Sequence, residues 1–414
     1  MWELIRANKR KSAVLYAALW ICLILTGYII GQVYLFPPDG GFIGMFLAVI
    51  LSLFLTIISY IFADSIILAV SKAKKITHED HPELFNVVEE MKIASGLPAM
   101  PDIYIIPEIA PNAFATGLKP ESSSVAITAG LLTKLNRDEL QGVVAHEMSH
   151  ILNRDVQFVT LAGVLLGSIT LISELFLRNL FFASSSRRYD SKSREGNGNS
   201  ILLIIGIIFA ILAPIMARLL YFALSRKREY LADATAVRLT RYPEGLAGAL
   251  EKISQSTENL SCANKVTAPM YIVNPLKEKG MKLSDLTSTH PPITERINIL
   301  RRMSIGVNYV NYQEAFSDVK GISSKIIPAS GLKETNIISI REPFFEKQKE
   351  GSRGNDIRKT GNLIMSINKY TFLTCICGLK IKTPPDFRKQ TISCPRCGRE
   401  LNIKKKEIKN GNAE

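Results

Sequence analysis

The segment Val143–Asp155 reads VVAHEMSHILNRD and stands directly before the apolar run VQFVTLAGVLLGSITLIS, residues 156–173. On a helix, His146 and His150 lie one turn apart on the same face, where two imidazoles can bind one zinc ion. Glu147 lies beside them, where its carboxylate can take a proton from water that the cation has made acidic. The pattern predicts a catalytic zinc site, and the alternative is a pair of ordinary, partly buried histidines.

The sequence around this segment predicts a framework of strands and helices. Asn136 and Glu139 form a capping-box pair, which marks the start of a helix. PDIYIIP at 101–107 and SSVAITAGLL at 123–132 are β-branched or apolar runs bounded by turn formers, which is typical of short strands. PNAFATG at 111–117 lies between them, and we expect it to be an edge strand or a loop.

Four long apolar stretches make this chain unlike an ordinary soluble protein. Hydrophobic residues are 47% of the 414, and the mean hydropathy is +0.14. Each stretch is long enough to cross a bilayer as a helix, which satisfies its own backbone hydrogen bonds. A buried core helix is the alternative for any one stretch, but four in one chain favour a lipid bilayer. The predicted spans are Ala13–Phe36, Phe42–Ala63, Val156–Ser173 and Ile201–Leu224.

Basic residues predict the orientation of these spans. They cluster before span one, after span two and after span four. By the positive-inside rule, both termini and the segments 71–155 and 225–414 lie in the cytoplasm. The prediction is therefore a multi-pass protein of the cell membrane. The loop 187–194 disagrees, because it also carries four basic residues. Much of the net charge of +14 lies at these flanks and in the C-terminal tail, which favours anionic lipid over nucleic acid as its partner.

The segment SRKREYLADATAV, residues 225–237, supplies a candidate for the third zinc ligand. Glu229 can bind the ion, and Asp233, one turn later, can accept a hydrogen bond from a ligand histidine and hold its tautomer. Alone, such a pair is more typical of a solvated helix face. An even number of spans separates His150 from Glu229, however, which returns the chain to the same side of the membrane. We therefore expect the hairpin 156–224 to bring both halves of the site together.

Four motifs together resemble the HtpX-type family of membrane zinc metallopeptidases, in the gluzincin group: VVAHEMSHILNRD, PNAFATG, SRKREYLADATAV and STHPPITERINIL. The resemblance covers about residues 1–305. It implies an endopeptidase with one catalytic zinc, Glu147 as general base, and damaged or misassembled membrane proteins as substrates at the cytoplasmic face. The zinc ligands that it implies are His146, His150 and Glu229, and the strand that it implies for substrate pairing contains Asn112, Ala113 and Phe114.

His290 has two interpretations. As a catalytic residue, it would donate a hydrogen bond to the oxygen that becomes negatively charged during peptide hydrolysis, and the family pattern favours this role. As a structural residue, it would cap a helix that begins near Pro291 and Pro292. Arg296 lies one and a half turns further on, and we expect it to brace the site.

Four cysteines near the C-terminus form two glycine-followed pairs, which predicts a zinc ribbon with a second, structural zinc ion: Cys375, Cys377, Cys394 and Cys397. In a reducing cytoplasm, disulfides are the less favoured use of these thiols. The first pair is C-x-C, not the usual C-x-x-C, and the family resemblance does not extend to this unit. Recruitment of a substrate or partner is a hypothesis for its role.

These features predict a mostly helical α+β protein with four transmembrane helices, a cytoplasmic zincin-type catalytic domain and a small β-rich zinc ribbon. Three other functions stay open: a prenyl-protein (CAAX-type) endopeptidase, a non-catalytic membrane adaptor that uses the ribbon, and a membrane-anchored nucleic-acid binder.

The predicted units are membrane hairpins at 1–70 and 156–224, two parts of the peptidase domain at 71–155 and 225–305, a linker at 306–365, and the ribbon with its basic tail at 366–414.

Overall fold

The structure is a computed structural model, and in the residues that it describes the protein is mostly helical, with three small sheets. This confirms the predicted mostly helical α+β fold class. The basic loop 187–194 lies outside the described residues. The described residues are 2–35, 39–186, 197–261, 270–273, 290–303, 306–321, 326–329, 331–333, 338–344, 353–387 and 389–403.

The described residues form eleven α-helices and eight β-strands. The helices are α1 (Trp2–Leu35), α2 (Gly40–Val70), α3 (Pro82–Ser95), α4 (Ala129–Lys134), α5 (Arg137–Leu152), α6 (Asp155–Ser186), α7 (Asn197–Thr240), α8 (Pro243–Ser254), α9 (Ile293–Arg302), α10 (Tyr309–Lys320) and α11 (Arg353–Ile367). The strands are β1 (Lys74–Lys75), β2 (Asp102–Ile106), β3 (Ala113–Thr116), β4 (Ser124–Thr128), β5 (Thr371–Thr374), β6 (Lys380–Thr383), β7 (Thr391–Ser393) and β8 (Glu400–Asn402).

Four helices, α1, α2, α6 and α7, are long and apolar enough to cross a membrane, as predicted. They differ from the predicted spans mainly at their ends. Helix α7 continues without a break to Thr240, so Glu229 and Asp233 lie on the same helix as the fourth span. Helices α1 and α2 pack closely through glycines, because a Cβ atom on Gly44 would lie 2.3 Å from the carbonyl oxygen of Gly27.

The predicted catalytic domain is built on a four-stranded sheet with the order β1-β2-β4-β3. Strand β4 is parallel to β2 and antiparallel to β3, so β3 is an edge strand, one of the two alternatives for PNAFATG. Helix α5 begins with the predicted capping box, in which the side chain of Asn136 and that of Glu139 each accept the other residue's backbone amide at 2.9 Å. Nearly every residue of α5 is buried, so its polar side chains face the interior.

Residues 306–365 were predicted to be a linker, and for the described part of this segment that prediction is wrong. Helix α10 buries Tyr309, Tyr312 and Phe316 in the main hydrophobic core, since these residues follow the spacing of one helix face. Residues 338–344 then cross the catalytic domain, where Arg341 donates to Asp138 at 2.6 Å. Helix α11 packs on α4, and the two share a hydrogen bond of 2.6 Å between Thr133 and Thr360.

The C-terminal unit consists of two antiparallel hairpins, β5–β6 and β7–β8. Each hairpin presents one pair of cysteines at its turn. Gly378 and Gly398 follow these pairs with φ angles of +82° and +71°, a backbone conformation that glycine adopts without strain. The two turns therefore close tightly, and the unit is β-rich as predicted.

Candidate active site

Helices α5 and α7 bring three predicted zinc ligands into one cluster. His146 and His150 face each other with their Nε2 atoms 3.1 Å apart. One carboxylate oxygen of Glu229 lies 3.6 Å from His146 Nε2, and the other lies 3.6 Å from His150 Nε2. His146 is fully buried, and Glu229 is 5% exposed. His150 and Glu229 are 79 positions apart in the sequence, and they converge where the membrane hairpin returns to the catalytic domain.

The donor atoms of this cluster fit a zinc ion. Two histidine nitrogens and a carboxylate are the ligand types of catalytic zinc, and at bond lengths of 2.0–2.1 Å the edges of a tetrahedron are about 3.3 Å long. The separations of 3.1 and 3.6 Å between the donors match that size. A cation shared by the three groups would stabilise two imidazole Nε2 atoms that lie 3.1 Å from each other.

Glu147 lies beside the cluster and lines a cavity with Ala115, Val159 and Met270. Only 1% of Glu147 is exposed, and burial raises the pKa of its carboxyl. The imidazoles and the backbone amide of Ala115 offset part of that increase. A carboxyl with a raised pKa and no strong partner can accept a proton and release it again, which a general base must do.

His146 is held from behind by Asp233 and Arg296. Its Nδ1 atom lies 3.0 Å from Asp233 Oδ1, an arrangement that leaves Nε2 facing the cluster. Arg296 is fully buried and donates to both oxygens of Asp233, at 2.6 and 2.8 Å. Burial opposes the charge on His146, but hydrogen bonds to Asp233 and Glu229 outweigh it and raise the pKa of His146 to about 9. A metal ion must therefore displace a proton at neutral pH.

The residue that contacts the second histidine was not among those predicted from the sequence. Asp155 Oδ2 lies 3.1 Å from His150 Nδ1, which gives His150 the same support that Asp233 gives His146. Asp155 in turn accepts a hydrogen bond of 2.6 Å from Arg228. Both residues were in the quoted motifs, as the final residue of VVAHEMSHILNRD and the neighbour of Glu229. Their charge at a membrane boundary was the available signal.

His290 lies next to the third ligand. Its Nδ1 atom is 3.2 Å from Glu229 Oε2, and the residue is 5% exposed. Arg296 approaches the same oxygen, with Nη1 at 3.5 Å. The structure thus places His290 beside the candidate zinc cluster, in contact with Glu229. The N-cap position of α9 is occupied by Pro292 and shows no side-chain capping bond.

The edge strand β3 borders the cavity, but part of its edge is occupied by this chain. The amide of Ile272 donates to the carbonyl of Ala113 at 2.9 Å, and Asn112 binds the backbone of Val273 through its side chain. Ala113 and Phe114 are fully buried. Ala115, two residues further along β3, lies at the cavity itself.

The four C-terminal cysteines also converge. Cys375 and Cys397 have their Sγ atoms 3.4 Å apart, and those of Cys377 and Cys394 are 3.6 Å apart. The edges of a tetrahedron with Zn–S bonds of 2.3 Å are about 3.8 Å long, so the four thiols fit a closed, structural metal site.

Sequence comparisons with known proteins identify the family of this chain. Residues 78–304 match peptidase family M48. The chain is 45% identical over 302 residues to the protease HtpX homolog of Dictyoglomus turgidum. The aligned residues cover 73% of this chain and 94% of that protein. It is 43% identical over 288 residues to the protease HtpX homolog of Pyrococcus furiosus. That alignment covers 69% of this chain and 94% of the homolog. The crystal structure of S. mikatae Ste24p aligns with a TM-score of 0.40 and 23% identity over 72% of this chain and 67% of that one.

The family match ends at residue 304, so α10, α11 and the cysteine unit lie beyond it. Within the match lie the three clustered residues that could hold a metal ion, His146, His150 and Glu229, and the buried Glu147 beside them. The chain therefore belongs to peptidase family M48 and is a membrane zinc metalloprotease related to HtpX.

Proposed function

We propose that this protein is an endopeptidase that cleaves misfolded or damaged membrane proteins at the cytoplasmic face of the cell membrane. The observation that carries this proposal is where the site lies. Asp155 begins the helix of the third span, and Glu229 lies on the helix of the fourth. A polypeptide that emerges from the bilayer would meet the site at the membrane surface. The basic flanks of spans one, two and four support the cytoplasmic orientation.

In the proposed mechanism, His146, His150 and Glu229 would hold a zinc ion, which would acidify a bound water and polarise the peptide carbonyl. Glu147 accepts the proton of the attacking water and passes it to the leaving amine. Burial of Glu147 keeps bulk water from competing for that proton. His290 is the proposed donor to the carbonyl oxygen as negative charge develops on it.

Substrate pairing is proposed to use β3 in a modified form. Asn112, Ala113 and Phe114 were expected to contact the substrate, yet Ile272 and Val273 bond to the first two of them. Ala115 lies next to Glu147 in the cavity, so we place backbone pairing of an extended substrate at Ala115. Asn112 then serves to hold the segment that continues the edge.

A second, structural zinc ion in the cysteine unit is also proposed. The support is the approach of four thiols, all with Sγ atoms within 4.8 Å of one another, at the turns of two hairpins. So small a unit has little apolar core, and a bound metal would stabilise it. Its attachment to the catalytic domain through α11 is consistent with a recruiting role.

Casein degradation by the purified, zinc-loaded protein in detergent tests the activity. We expect Glu147→Gln to lower the rate by about a hundredfold or more while zinc remains bound. The matched control is Glu251→Gln, because that glutamate is on the surface of α8 and pairs with Arg301. Loss of activity in both variants, or in neither, would contradict the assignment. Cleavage of a prenylated C-terminal peptide in place of casein would favour the prenyl-protein endopeptidase.

Orientation needs a separate measurement. Glu79 is exposed in the segment after span two, and a cysteine introduced there (Glu79→Cys) should react with a membrane-impermeant maleimide only after cells are permeabilised. Labelling in intact cells above the wild-type level would place the catalytic domain on the other side.

A further inference from the structure

A chain of buried polar contacts connects the zinc site to the first membrane helix. Arg228 is 3% exposed; its Nη1 donates to Asp155 Oδ1 at 2.6 Å, and its Nη2 donates to Ser12 Oγ at 2.5 Å. The other oxygen of Asp155 contacts His150 Nδ1 at 3.1 Å. Ser12 begins the first candidate span, Asp155 begins the third, and Arg228 lies on the helix of the fourth.

We infer that Arg228 is a positioning residue that fixes Asp155 so that Asp155 orients His150 toward the metal. This inference rests on the proposed zinc site. A carboxylate has two oxygens, and Arg228 holds one of them while the other accepts the proton of His150 Nδ1. The proton on Nδ1 leaves the lone pair of Nε2 free for a cation. Without Arg228, the carboxylate of Asp155 can rotate, and His150 loses its fixed tautomer and ring orientation.

The environment of Arg228 indicates a role beyond stability. A buried ion pair recovers little more than the cost of removing its charges from water, and an apolar pair of equal volume is often as stable. Yet this guanidinium is enclosed on several sides, with its Cζ atom 3.5 Å from the centre of the Phe158 ring. Its two hydrogen bonds and the ring contact restrict how the neighbouring carboxylate of Asp155 can be oriented.

The contact with Ser12 gives the first membrane helix a part in the metal site, although α1 supplies none of the clustered ligands. The two histidines are therefore supported from different sides. Asp233 and Arg296 hold His146 from within the catalytic domain, whereas Asp155 and Arg228 hold His150 from the membrane surface. A shift of α1 against α7 would reach the zinc site through His150.

Zinc affinity tests this inference without relying on activity. Full-length protein in detergent is equilibrated with chelators of graded affinity, and bound zinc per chain is measured. The zinc retained by His146→Ala, which keeps the cysteine unit, is subtracted. We expect affinity to fall about 10- to 100-fold in Asp155→Asn, because an amide that accepts from Arg228 with its oxygen presents its NH2 group to His150 Nδ1, and about tenfold in Arg228→Met. Arg228→Lys should recover part of the loss, because an ammonium reaches the carboxylate but not Ser12 as well.

Two variants control for packing. Arg238→Met removes a guanidinium from the same helix, where it lies 5.0 Å from the Tyr309 ring and away from the zinc ligands. Ser168→Ala removes a buried hydroxyl of the third span that bonds to its own helix, and is paired with Ser12→Ala. We expect both controls to keep wild-type affinity, and Ser12→Ala to lose about threefold. In cobalt-substituted protein, the visible bands that His146→Ala lacks should shift in Arg228→Met and return in Arg228→Lys.

The outcomes are separable. If His146→Ala binds as much zinc as wild type, the proposed zinc site fails, and this inference fails with it. If wild type binds more zinc than His146→Ala but Arg228→Met keeps wild-type affinity and cobalt bands, only the positioning role is overturned. Should Arg228→Met not fold by circular dichroism, Arg228→Lys and Ser12→Ala decide the matter, and unchanged affinity in both would refute the role.

Discussion

Replacing Arg296 with methionine should destabilise the catalytic domain strongly, because it leaves a carboxylate unpaired in the core. Arg296 is fully buried and donates to both oxygens of Asp233, at 2.6 and 2.8 Å. It also donates to the carbonyl of Ile272 at 3.2 Å. No other residue type provides these three bonds from one rigid, planar group.

The magnitude follows from these contacts. Removing one partner of a buried ion pair costs about 3–5 kcal/mol. The lower end applies to metal-free protein at pH 7, because His146 lies 3.0 Å from Asp233 and its pKa is raised to about 9, so it carries a compensating charge. At about 2–4 °C per kcal/mol for a domain of this size, the unfolding temperature should fall by about 6–12 °C.

Differential scanning calorimetry in detergent, with a chelator present, measures this change separately from zinc binding. The matched control is Arg301→Met on the same helix, α9. The Arg301 side chain is 40% exposed and pairs with Glu244 and Glu251 at the surface, where such pairs contribute about 0–1 kcal/mol. If Arg296→Met lowers the unfolding temperature no more than Arg301→Met does, the argument from burial is refuted.

Three further predictions concern regions outside the site. His81 caps α3, because its side chain accepts a hydrogen bond from the backbone amide of Leu84. Burial lowers the pKa of His81. The stability that neutral His81 contributes is therefore complete above the ordinary histidine pKa and is lost as the pH falls through the lowered pKa. His81→Asn should keep the cap and flatten the acid side of the stability curve measured by calorimetry. Cys375→Ser should reduce bound zinc by one ion per chain, by elemental analysis, and leave casein cleavage intact. Arg341→Met should cost about 1.5–3 kcal/mol through loss of its bond to Asp138 and should speed proteolysis of the C-terminal segment, and unchanged digestion would contradict its clamping role.

The sequence by itself determined the features that depend on local spacing. Hydrophobic length identified the four spans, and the capping box located the start of α5. The two histidines of VVAHEMSHILNRD could be placed on one helix face because four residues are close to one turn. The number of spans between His150 and Glu229 even predicted that distant residues meet, because a chain that crosses a membrane twice returns to its starting side.

Only the tertiary structure decided which side chains support these residues. Asp155 and Arg228 meet across two membrane helices, and Ile272 occupies the edge of β3 beside Ala113, although neither contact has a local signature. The segment 306–365 was mistaken for a linker because its charges suggested solvent, while its apolar face has a partner only in the folded domain. Such contacts depend on how helices pack, and packing joins residues whose separation along the chain carries no periodic pattern.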